Sequence, residues 1–428
     1  MRGTTQASVN LLYSTWLDTI TSMENILQRE GVSRTSGDNI ALQQCISLLR
    51  RLPPLDDNQK PPINEIQPNL NPLDVLYDVK KLIDETNEQP MSASFQKIVE
   101  AAGVFDHWCD GRVSTAQESD QWALYTVQAT AWNAAGCEGL GDLTADIVLA
   151  FTRAGSPDNN RLTALLNIAF RRARQGNYNN ALGILLDPSV WSSLSLPDYK
   201  LWAEEVWQVL TLRAARRGQD RLYHETLLPH RPPGERNLAF LDSKISLSEV
   251  LRMREREASS ITMEQLLRTL WHSEFLFRMH HYRAAIVLLA DVGLHFGLSK
   301  RSQRMIEDMM PQIIIGSDVE LRGFAAFTLA RCIIVGGQGS KSALQEAAWW
   351  LAIAEKDYMA LEIYHSAMDV QYLLAVVYNT FGAEEDRDAA SERYERTREV
   401  LQQLEVVTAD AEVNGIIDII SRVGSWEI

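Results

Sequence analysis

Cysteine is scarce in this chain: four thiols in 428 residues, Cys45, Cys109, Cys137 and Cys332, with no CxxC pair and no zinc-like spacing. That excludes a disulfide framework or a cysteine-built metal module as the organising device. Buried or idle thiols in a reducing compartment are the expectation. Positive charge is also short, 41 Lys and Arg against 56 Asp and Glu, for a net charge of −15 and a pI near 5.1. A sequence-independent grip on a phosphate backbone needs clustered cations, so nucleic acid is not an expected partner. No apolar run approaches membrane-spanning length, and residues 1–6 lead into an amphipathic stretch rather than an apolar core with a cleavage site. The expectation is a soluble chain of the nucleus and cytoplasm. No segment sustains period-two alternation, so no sheet is predicted.

Catalytic signatures are missing as well. His272-Ser273-Glu274 lacks the HExxH register that sets two imidazoles and a base on one helical face, and His272, His280 and His281 read as solvated residues near a hairpin turn. Gly336-Gly337-Gln338-Gly339-Ser340-Lys341-Ser342 has Ser340 where a phosphate loop needs glycine, and no strand leads into it. Gly136-Cys137-Glu138-Gly139-Leu140-Gly141 has the wrong glycine order for a dinucleotide fingerprint. There is no GxSxG elbow and no kinase signature. No catalytic, cofactor-binding or metal-binding residue is therefore predicted, and no cofactor or small-molecule substrate is expected.

What the sequence does have is apolar material, 46% of its residues, arranged with helical periodicity. Val9, Leu12, Trp16, Ile20, Met23 and Leu27 share one helical face, and a second short helix follows to about residue 51. Pro53, Pro54, Pro61, Pro62, Pro68 and Pro72 then remove backbone donors, so 52–72 reads as a linker or extended strap. From 73 to 428, helical patterns alternate with short breakers: 87–90, 136–141, 155–158, 218–220 and 336–339, with 229–237 as a longer inserted loop.

Two breakers share a local grammar. Gly176-Asn177-Tyr178-Asn179-Asn180-Ala181-Leu182 and Met279-His280-His281-Tyr282-Arg283-Ala284-Ala285 each place an aromatic three residues before an alanine. Counting back, the small residues Ala169 and Ser273 fall where a first helix must let a second approach closely, with Leu185 and Leu289 filling the next layer. A larger side chain there would force the axes apart at about 1–3 kcal/mol. This is the tetratricopeptide pattern of about 34 residues, and the two tyrosines lie roughly three periods apart, which predicts one stacked array between them. The predicted fold is all-α, an α-α superhelix whose groove takes a helix or an extended peptide. Leu166, Phe170, Leu270 and Glu274 occupy the places where co-chaperone repeats hold a peptide carboxylate with lysine and asparagine, so neither unit is expected to clamp a chaperone tail. The paired tryptophans, Trp202 with Trp207, Trp349 with Trp350 and Trp122 with Trp132, read as core between hairpins rather than as a ligand cage. Arg171, Arg172 and Arg174, with Arg213, Arg216, Arg217 and Arg221, form basic faces near hairpin ends, suited either to interhelix pairing or to docking of an acidic partner segment.

The stretch Asp369-Val370-Gln371-Tyr372 through Ala375, Tyr378, Thr380 and Gly382, followed by Arg387 and Ala390, resembles the closing repeat of the anaphase-promoting complex subunit 5 family. The resemblance is firmest over 320–405 and looser over 115–300, where the hairpin at 165–186 also looks like the family's repeats. It implies a non-catalytic scaffold subunit of a multisubunit cullin-type ubiquitin ligase that marks cell-cycle regulators for destruction. The implied partners are the largest scaffold subunit and a propeller-bearing platform subunit. Four dispersed cysteines cannot build a RING, in keeping with that role. Members of the family are longer, with a helical domain ahead of the repeats, so a shortened form is the expectation. The alternative reading is a stand-alone peptide-binding adaptor of the same repeat type. Ala169, Tyr178, Ala181, Ser273, Tyr282, Ala285, Ala375, Tyr378 and Gly382 are the predicted repeat-defining positions.

Overall fold

The computed structural model describes residues 72–84, 90–111, 118–153, 159–192, 194–232, 266–267, 270–316, 318–408 and 410–425. The expected helices within 1–51 and the strap up to residue 71 lie outside these. Pro72, read as the end of the strap, is instead the first residue of helix α1 (Pro72–Asp84), a position where its missing N–H has no intrahelical partner to lose.

The fold is all-α, with no strand among the described residues. Two compact units divide the chain, one of Met1–Lys81 and Gln96–Asp120, the other of Leu82–Phe95 and Gln121–Ile428. The first contains most of α1 and of α2 (Met91–Gly111), whose Val75, Val79, Ile98 and Ala101 are buried. The second holds α3 (Glu118–Ala134) from Gln121 onward, α4 (Glu138–Phe151), α5 (Asn160–Arg174), α6 (Tyr178–Leu185), α7 (Pro188–Trp191) and α8 (Leu196–Arg216). Next come α9 (Asp220–Leu222), running on into a π-helical turn at Tyr223–Leu227, and helical residues 270–275. Then follow α10 (Met279–His295), α11 (Ser299–Ile315), α12 (Val319–Gly336), α13 (Lys341–Ala360), α14 (Tyr364–Phe381), α15 (Glu384–Val406) and α16 (Ala411–Ser425).

Consecutive helices pack as neighbours, and the sequence period explains which face each one turns inward. In α14 the buried residues are Ala367, Val370, Gln371, Leu374 and Val377, and in α13 they include Leu344, Ala347, Leu351, Ala354 and Tyr358. Apart from the adjacent Val370 and Gln371, both runs step by three and four, which keeps a single stripe on the core. Each fully buried aliphatic side chain contributes about 1.5–3 kcal/mol from the apolar area it withdraws from water. The region read as a breaker over 136–141 is interrupted only at 135–137, and Gly139 and Gly141 lie inside α4. Backbone amides of 140 and 141 bond back to the Cys137 carbonyl, so the glycines there start a helix instead of ending one.

Buried apolar side chains in the second unit form two large separate clusters. The first joins α5, α6, α8 and α9 and is completed by Ile416, Ile417 and Ile420 of α16. The second joins α10 through α15 around the α12–α13 pair. A smaller group, Ala129, Ala145, Val148, Ala164 and Ile168, packs α3 and α4 onto α5. The predicted row of hairpins between Tyr178 and Tyr282 is described in part, residues 233–265 lying outside it. Tyr178 belongs to the first cluster and Tyr282 packs against the second.

Candidate functional site: a seam of arginines and carboxylates

Where the first cluster meets the second, the contacts are charged. Arg213, Arg216 and Arg217 are spaced three and four apart, which sets them on one side of the C-terminal end of α8, and Arg174 is the last residue of α5. Cations are favoured there by the unsatisfied carbonyls of a last helical turn. Opposite them, Asp318 caps the N-terminus of α12, accepting from the amides of Glu320 at 3.1 Å and Leu321 at 3.2 Å, and Glu320 lies in that helix's first turn. Carboxylates are stabilised at that end of a helix, so the poles of three helices meet with matching charge.

Arg216 is the deepest member, 2% exposed, and its partner Glu320 is 1% exposed. The guanidinium donates to Glu320 Oε2 at 2.6 Å, to the Tyr178 hydroxyl at 2.9 Å and to the Ala173 carbonyl at 3.2 Å. Tyr178 in turn donates its hydroxyl to the Leu361 carbonyl at 3.0 Å, tying the α5–α6 turn to the α13–α14 corner. Burial raises the pKa of that phenol, so it acts as donor and acceptor and not as an acid. Gly176, at φ 86°, brings the same turn against the Ala360 carbonyl so closely that a Cβ would collide with it.

On either side of this pair lie two further contacts. Arg174 donates to Asp318 Oδ2 at 2.9 Å. Burial alone would raise the Asp318 carboxyl, but the Arg174 guanidinium and the Leu321 amide outweigh it and hold the group below its ordinary value. Arg213 and Arg217 grip one carboxylate, Glu362, with Nε contacts of 3.0 and 2.7 Å and second contacts of 3.2 and 3.0 Å. Burial works against the ionised form of Glu362 too, and the two guanidinium forks override it. Glu362 occupies the left-handed region at φ 61°, a conformation that is strained for a residue with a Cβ.

The solvated-histidine reading fails at His280. Its Nδ1 faces Asp318 Oδ2 at 3.4 Å and its Nε2 lies 3.4 Å from an Arg174 nitrogen. Burial first, and Arg174 second, push its pKa down to about 3, so the ring is neutral in the fold. Arg283, buried one turn further along α10, rests its guanidinium on the Gln312 carbonyl at 3.0 Å and the Gly136 carbonyl at 3.1 Å. Arg171 donates to the Glu138 carbonyl at 2.9 Å and pairs with Asp142.

Five of the seven arginines of the basic faces thus have partners within the chain, as the pairing reading expects. Arg172 and Arg221 are the two of the seven that stay exposed. Of the predicted repeat positions, Ala169, Tyr178, Ala181, Ser273 and Ala285 are buried, and Tyr282, Ala375 and Tyr378 are half-buried against the second cluster. Gly382 is exposed and ends α14 in the left-handed conformation at φ 76°. Only Tyr178 of these positions reaches the seam. Trp202 and Trp207 are core, their indole N–H groups donating to the Leu185 and Leu227 carbonyls at 2.8 Å. Trp349 departs from the core reading at 59% exposed. Other large apolar groups also face outward: Trp271 and Phe275 stack in a plane-to-plane pair with centroids 6.1 Å apart, and Ile315 is 81% exposed.

Among the described residues no set of three or more His, Cys, Asp or Glu is placed to hold a metal ion, and no helix is long and apolar enough to cross a membrane. Compared with protein-family models the chain matches none, and compared with curated proteins it matches none.

Proposed function

We propose that the chain is a non-catalytic scaffold subunit of the anaphase-promoting complex, of the subunit 5 kind, working in the nucleus and cytoplasm by binding other subunits. The observation that carries this reading is the form taken by the resembling segment. Asp369 to Phe381 lies on the single helix α14, Gly382 caps it in the left-handed conformation, and Ala390 is fully buried on α15. Outward-facing Trp271, Phe275, Ile315 and Trp349 supply the large apolar contacts that protein interfaces favour.

The test is a tagged pull-down from mitotic extract of the source cells, with co-purifying proteins identified by mass spectrometry at moderate salt. Stoichiometric recovery of a cullin, a RING subunit and other repeat subunits is the expected result. Recovery of the chain alone, or with one substoichiometric partner, would overturn it in favour of the free peptide-binding adaptor.

A further inference from the structure

Two helical stacks with separate apolar cores normally merge where they touch, because joining the cores buries more apolar area. Here they do not merge. Contacts across the junction include the Arg216–Glu320, Arg174–Asp318 and Arg213/Arg217–Glu362 pairs, His280 beside Arg174, the Arg283 guanidinium on the Gly136 carbonyl, the Tyr178 hydroxyl on the Leu361 carbonyl, Gly176 against the Ala360 carbonyl, and His365 and Leu401 beside Gly218. Polar junctions of this kind accommodate relative motion. Exposure is graded along this one: the Arg216 and Glu320 side chains are 0% and 2% exposed, whereas those of Arg213, Arg217 and Glu362 are 16%, 18% and 19%. Salt therefore screens the outer pairs and leaves the inner pair alone. The outer carboxylate is also carried on a left-handed residue, in a turn closed by the Glu362 amide on the Met359 carbonyl and the Ile363 amide on the Tyr358 carbonyl. After α15 Val407 is extended, and the Thr408 carbonyl accepts from the Thr226 hydroxyl of the first stack at 2.7 Å.

We propose that the second unit is hinged along this seam. The two stacks turn about the buried Arg216–Glu320 pair, and the Arg213/Arg217–Glu362 fork is the latch that holds them closed. The proposal stands independently of the complex to which the chain belongs.

Hydrogen exchange read by mass spectrometry on the full chain tests it, because the amides of Gly176, Asn177, Leu361 and Ile363 are bonded within the two turns that meet at the latch. With Glu362→Gln, exchange at these turns should rise about tenfold while the centres of α8 and α12 keep their protection. Raising sodium chloride from about 50 mM to 1 M should do the same to the wild type and add nothing to the variant. Glu362→Gly, which removes strain and carboxylate together, should behave like Glu362→Gln. An unchanged seam at both salt concentrations, or a rise spread through both cores, would overturn the hinge. Wild-type protection in Glu362→Gly would overturn the latch, since the backbone and not the ion pair would then govern the corner.

Discussion

Glu320→Ala removes the carboxylate that Arg216 meets at 2.6 Å. What remains is a guanidinium that is 2% exposed, with only the Tyr178 hydroxyl and the Ala173 carbonyl as partners. Leaving one member of a buried pair without the other costs about 3–5 kcal/mol, most of it the desolvation of the stranded charge. With a urea slope of about 3 kcal/mol/M, the unfolding midpoint should fall by roughly 1–1.7 M, followed by far-ultraviolet circular dichroism. The same argument predicts a rescue. Arg216→Met combined with Glu320→Leu removes both charges and fills the space with apolar volume, and should lie within about 1 kcal/mol of the wild type. The exposed Arg396–Glu392 pair, 65% and 67% exposed, is the control, and Glu392→Gln should leave the midpoint unchanged. A cost below about 1 kcal/mol for Glu320→Ala, or a double variant as unstable as the single one, would refute the assignment of this pair as a desolvated charge contact.

Three more outcomes follow from the geometry. His280 is neutral in the fold whereas an unfolded histidine binds a proton near pH 6.5, so acidification favours unfolding; stability present above about 6.5 should fall by up to 1.36 kcal/mol per pH unit, about 2 kcal/mol by pH 5. That figure is a ceiling because 22% of the side chain still meets solvent, and urea midpoints at pH 7 and 5 should differ less in His280→Asn than in the wild type. Gly176 and Gly382 both have left-handed backbones, but only Gly176 abuts another chain segment, so Gly176→Ala should cost about 2 kcal/mol more than Gly382→Ala in the same assay. Trp202→Ala should cost about 3–5 kcal/mol and Trp349→Ala under about 1, and equal losses would mean that Trp349 is not the outward-facing residue described.

Local patterns carried the helices and their close approaches. The alanines at 169, 181 and 285 and the serine at 273 are buried because a three-and-four period, read against a turn, places a small residue at a helix crossing. The Gly382 ending was legible for a similar reason, since only the adjacent backbone decides it. The seam was not legible. Arg216 and Glu320 are 104 residues apart, and Arg174 and Asp318 are 144 apart, and no periodicity relates such positions. Clustered arginines could be seen, but whether they faced solvent or a carboxylate from another stack depended on tertiary packing. His280 was misread for the same reason, because the groups that bury it come from α5 and α12. Trp349 shows the converse, a large aromatic on the outer stripe of α13, where the period alone fails to say which face is inward.

The first stack borrows Ile416, Ile417 and Ile420 from the last described helix, roughly 200 residues after the α8 side chains they cover. On a ribosome adding about 5–20 residues per second, α8 leaves the exit tunnel some 10–40 s before its covering helix exists. Through that interval the side of α8 that meets the last helix, where the Tyr199 hydroxyl donates to the Ile420 carbonyl, is open to water and to other chains, while the second stack is complete before that helix is made. The stack begun first is therefore the one completed last, and its unfinished side is the face of the nascent chain that a chaperone would shield.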